Sequence, residues 1–351
     1  MAGGTARIAC CSDSDLGLPA GGHDAGPEGA ADLRAGFAWA VRAAIATGAD
    51  AFLHAGGLLH PGCSGLGHDE AVWLERCWSR LDAAGTIPIV HETGPPLERA
   101  GCEILPLGGA ITRCGVRLSS GLSASHGDAG LPQVRCLEGA LDGAAGIRPE
   151  VRDAPIDAAR LVREAAGFCV LAGSRYRQLV QPNAAYTGPT APLDRFCRRT
   201  PGVLLLDVGL ATGQVLTHTV VRLPARRIVE VRVDASGLPT RVLGQVLHDR
   251  IDARLRDAAR ARTAICDRIR DSLHDATTQQ VVNELYGRDA ADPAEPWLPD
   301  APVVDVTVSN ALCTLEDAWA ADGRLAWFFG EGRAARIHVT WDGTRTWLTP
   351  G

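Results

Sequence analysis

The stretch ARIACCSDSDLG, residues 6–17, decides how the rest of the chain is read. An apolar run from Arg7 to Cys11 breaks into Ser12, Asp13, Ser14 and Asp15, then into Leu16-Gly17. A short apolar run closed by turn residues is the pattern of a buried strand. Two carboxylates one residue apart at its end have two readings. They hold a hard cation through oxygen, or they belong to a turn whose backbone Asp side chains cap.

Working outward, the periodicity alternates. Residues 21–29 are Gly-rich loop. Leu33, Phe37, Val41, Ala44 and Ile45 fall at helical spacing over Ala30–Thr47, and Gly48 stops the helix. Ala51–His54 is a second short strand, followed by the loop AGGLLHPGCSG at 55–65. Val72, Trp73, Cys77 and Leu81 mark one side of a helix over Glu70–Ala84. Ile87–His91 is a third strand, and the loop TGPPL follows at 93–97. Strand, helix, strand, helix, strand predicts a layered α/β domain. In such domains functional loops gather at the carboxyl ends of the strands, where Asp13, Gly57 and Pro95 stand.

From Gly101 to Ser123 the pattern is of short strands, with further strands at Val134–Leu137, Phe168–Ala172, Ala184–Tyr186, Gly202–Val208 and Val215–Arg222. Asp157–Ala166 has helical spacing. The style changes near Pro224. RRIVEVRV at 226–233 alternates charged and apolar residues, as a half-exposed strand does. Thr240–Leu285 has a long helical pattern with Val242, Val246, Ile251, Leu255, Ile265, Ile269 and Leu273 along one face. Arg250, Arg254, Arg256, Arg260 and Arg262 lie among Asp residues on the other, a solvated face or a DNA contact. A Pro-rich loop, DPAEPWLPDAP at 292–302, precedes strands at Val303–Ser309 and Arg336–Trp341. Two domains are expected, 1–224 and 225–351, with no internal repeat.

The 351 residues carry a formal net charge of -6 and are 46% hydrophobic, the profile of a globular chain with a substantial core. No polybasic run exists, so binding to a nucleic-acid backbone needs a local patch. No apolar stretch approaches membrane-spanning length, and no basic segment with an apolar core opens the chain; a cytoplasmic, membrane-free protein is expected. The 11 Cys form no C-x-x-C pair, which argues against a zinc knuckle and for buried small hydrophobes. SASHG at 123–127 lacks the G-x-S-x-G spacing of a nucleophile elbow.

The order of the loops resembles the calcineurin-like metallophosphoesterases, in the branch of the SbcD DNA-repair exonuclease subunit. ARIACCSDSDLG is similar to that family's D-x-H segment, and DAFLHAGGLLHPG at 50–62 to its G-D-x-x-H segment. PIVHETGPPLERAG at 88–101 takes the G-N-H-D place, and VRCLEGALDGAAG at 134–146 the L-H-G place. AGFCVLAGSRYRQLVQPNAAYTGPT at 166–190 takes the G-H-x-H place. PGVLLLDV and RRIVEVRVDASGL resemble the closing strand and the start of the capping domain. The resemblance implies a four-layer β-sandwich flanked by helices, a small α+β capping domain, and a two-metal site that activates water against a phosphodiester.

The ligand positions depart from the family pattern. Asp13 matches the first Asp, while Asp15 stands in place of His and Gly57 in place of the Asp that bridges both metals. Pro95 and Pro96 replace Asn and His, Glu138 replaces the His of L-H-G, and Ser174 and Tyr176 replace both His of G-H-x-H. Two unit charges a few Å apart repel by about 4 kcal/mol at an effective dielectric of 20, and nothing at residue 57 offsets that. Asp13, Asp15 and Glu138 are the remnant metal positions, suited at most to a single Mg²⁺ or Mn²⁺. His60, His91 and His126 are candidates for a relocated site, with His54 beside them. No cofactor is expected in the principal reading, a degenerate phosphoesterase serving as a binding or scaffold subunit with an SbcC-like ATPase in DNA end processing. The alternatives are an active metal-dependent phosphodiesterase or DNA exonuclease, and a nucleotide- or phosphate-binding module using Arg175 and Arg177. The resemblance also implies a homodimer formed through first-domain helices, here Phe37–Ile45 and Val72–Leu81.

Overall fold

The computed structural model describes residues 4–17, 26–60, 62–63, 65–91, 101–121, 130–141, 155–157, 161, 167–173, 179–181, 183–191, 201–223, 228–271, 303–314, 317, 336–341 and 344–348. The fold is mixed α/β. Its described residues divide into two compact units, 4–223 and 228–348.

In the first unit β1 (Thr5–Cys11), α1 (Gly26–Ala46), β2 (Ala51–His54), α2 (His68–Ala83), β3 (Ile87–His91) and β4 (Glu103–Leu105) follow in order. β1 to β4 run parallel. β13 (Gly202–Gly209) and β14 (Gln214–Arg222) extend this sheet antiparallel on the β1 side. The second sheet has the order β11 (Leu179–Gln181), β12 (Ala184–Tyr186), β10 (Phe168–Ala172), β7 (Gln133–Glu138), β6 (Val116–Ser120) and β5 (Ala110–Arg113). Its four middle strands are parallel. β8 (Ala140–Leu141) and β9 (Pro155–Ile156) form a separate two-stranded piece.

Period-two alternation explains why both sheets share one core. Ala6, Ile8, Cys10, Ala51, Leu53 and Ile89 from the first sheet meet Leu118, Val134, Cys136, Phe168 and Val170 from the second in one buried cluster. The intervening residues of the first sheet face the helices. Phe52 of β2, Phe37 of α1 and Trp78 of α2 make an edge-on aromatic cluster, with Phe37–Trp78 ring centroids 5.2 Å apart. Phe37, Val41, Ala44, Leu74, Cys77, Trp78 and Leu81 are all buried in this unit. Most of the apolar surface expected to join two copies through helices therefore packs inside one copy.

In the second unit β15 (Ile228–Asp234), β16 (Val303–Ser309), β17 (Arg336–Trp341) and β18 (Thr344–Leu348) form one sheet, parallel except for β18. α3 (Thr240–Asp271) covers it through Leu243, Leu247, Ile251 and Leu255. Val242, expected on the inward face, is 45% exposed, because the buried stripe begins one residue later. The expected helix beyond residue 271 and the one at 157–166 lie outside the described residues, apart from Asp157 and Leu161. Nine cysteines have described side chains and are free; Cys10, Cys11, Cys77, Cys136 and Cys169 are buried, and Cys63, Cys102, Cys114 and Cys313 half-buried. Among the described residues no helix is long and apolar enough to cross a membrane.

Candidate functional site

The loops after β1, β2, β7, β10 and β12 converge at the carboxyl ends of the parallel strands. The first two zip together. Ala55 N–H donates to the Cys11 carbonyl at 2.7 Å, Asp13 N–H to Gly56 at 2.9 Å, and Asp15 N–H to Gly57 at 3.1 Å. Leu16 N–H and His60 N–H continue the ladder, to Leu58 and back to Leu16. Asp13 and Asp15 hold left-handed backbone at φ 51° and 45°, which Asp tolerates better than most residues. Ser12 bridges to Pro189 after β12 and so joins the two sheets at this edge.

Asp13 is buried. Its Oδ2 meets the Ser12 hydroxyl and accepts the Gly173 N–H at 2.9 Å, at the end of β10. Ser12 Oγ in turn pairs with Thr187 Oγ1 at 2.6 Å. The Asp13 carboxyl reaches beyond its own turn and ties the end of β1 to a strand 160 residues away in the other sheet. Burial, with Asp15 and Glu138 nearby, pushes Asp13 up to about 8, against the pull of its Ser12 and Gly173 hydrogen bonds. Asp15 is raised to about 7 by burial and by Glu138. Glu138, the exposed last residue of β7, is paired in register with Ala172 of β10.

The fold thus brings Asp13, Asp15 and Glu138 into one electrostatic neighbourhood. It does not arrange them as a coordination sphere: among the described residues no three His, Cys, Asp or Glu are grouped to hold a metal ion. Gly57 has φ 65°. A Cβ there would lie 3.0 Å from Asp13 Oδ1 and 3.2 Å from Asp13 Cα. A side chain at 57 would press on Asp13, which would have to give by a few tenths of an ångström to admit it. Pro95, Pro96, Ser174, Arg175, Tyr176, Arg177 and His126 lie outside the described residues.

The nearby imidazoles make internal bonds, while His54 Nδ1 is buried without a hydrogen-bond partner. His54 Nε2 pairs with Ser14 Oγ at 2.8 Å, and Thr190 Oγ1 donates to the same Ser14 oxygen at 3.1 Å. Burial and the proximity of His91 push His54 down to about 3, so it is neutral. His91 joins Ala55 O through Nδ1 at 2.9 Å and Ser120 Oγ through Nε2 at 2.6 Å. A ring nitrogen bonded to a carbonyl carries the proton, so Nδ1 donates and Nε2 accepts from Ser120. His60 Nδ1 accepts from Gly62 N–H at 3.1 Å. Ser12, Ser14, Ser120, Thr187 and Thr190 are buried members that sequence reasoning missed. The one local signal was Ser12 and Ser14 flanking Asp13 at the end of an apolar strand.

α1 sets this network from behind. A Cβ on Gly36 would fall 2.5 Å from the Thr190 carbonyl oxygen. Only glycine lets the helix approach the β12 loop so closely and place Thr190 against Ser14.

No protein-family model matches the chain, and a search of curated proteins returns no match.

Proposed function

We propose that this chain is a catalytically degenerate member of the metallophosphoesterase type, built on that family's four-layer sandwich with a C-terminal cap. It serves as a binding or scaffold subunit of the SbcD kind beside an SbcC-like ATPase in DNA end processing. The reading draws on the order of the six sequence segments and on the converging strand ends. The observation that carries its degenerate half is the missing side chain at Gly57, where even a Cβ would press on Asp13. The hydrogen bonds at both ring nitrogens of His91 support it.

A dinuclear hydrolase needs a negative bridge to offset the repulsion of two cations, and its bound water supplies the nucleophile. Here the residues at that place hold one another through a carboxyl group with a raised proton affinity. The test is metal content and hydrolysis together. Protein purified after growth in manganese-supplemented medium is expected to carry well under one equivalent of metal and to leave bis(p-nitrophenyl) phosphate intact. Near-stoichiometric manganese or iron, with hydrolysis abolished by Asp13→Ala, would overturn the proposal in favour of a single-metal phosphodiesterase on Asp13, Asp15 and Glu138. Copurification from the host tests the partner: a large coiled-coil ATPase is expected, and its absence removes the scaffold role.

A further inference from the structure

We draw no further inference here: the strongest candidate, the side-chain pair Ser120–His91 at the carboxyl ends of β6 and β3, belongs to the buried hydrogen-bond network of the site already described.

Discussion

Asp13 shows how one buried carboxyl group trades charge for connection. In the folded chain burial raises Asp13 to about 8, whereas an unfolded Asp releases its proton near the ordinary value of 3.8. The stability it contributes is complete below pH 3.8 and is lost as pH rises toward 8, because the unfolded state then binds fewer protons. Asp13→Asn keeps an acceptor for Gly173 N–H and cannot ionise. It is expected to flatten the fall of Tm over that interval, leaving the part that belongs to Asp15, and to gain about 1 kcal/mol or more at pH 8. Thermal melts across pH check this; a wild-type slope in the variant would mean that Asp13 is ionised in the fold. Gly36 is the second such residue. Gly36→Ala drives a methyl against the Thr190 carbonyl and is expected to cost about 1–3 kcal/mol by urea unfolding.

At the scale of the element, the helices were legible and their neighbours were not. Spacing of Leu33, Phe37 and Val41 located α1, and that of Cys77 and Leu81 located α2, because a 3.6-residue period survives without tertiary information. The same pattern does not say whether an apolar face meets its own sheet or another molecule. Phe37 and Trp78 meet Phe52 at 6.1 and 6.2 Å, so these two side chains face their own sheet. Trp78→Ala is expected to cost about 3–5 kcal/mol, seen as a lower urea midpoint. The short pieces β8, β9, β11 and β18 escaped notice, since a few residues carry no period. On α3 two of the Arg residues pair with Asp: Arg256 reaches Asp252 at 3.0 Å, and Arg260 pairs with Asp257. These helix pairs are each worth a few tenths of a kcal/mol at most.

For the whole molecule, a net charge of -6 opposes nucleic-acid binding by the chain alone. Fluorescence anisotropy with duplex DNA at physiological salt is expected to show nothing tighter than the nonspecific range of ~10⁻⁴–10⁻⁶ M. Nanomolar binding would mean that a basic surface forms which pairwise bonding along α3 does not reveal. The amino-acid sequence by itself determined the alternation of strands and helices, the ends of most long elements, and the absence of a side chain at residue 57, because periodicity and composition are local properties. Only the tertiary structure decided what the conspicuous residues do. Asp13 reaches Gly173, Ser12 reaches Thr187, and Thr190 reaches Ser14, across 160, 175 and 176 residues respectively. Such bonds form only when two sheets stack and bring their strand ends together, and no local pattern encodes a partner so far along the chain.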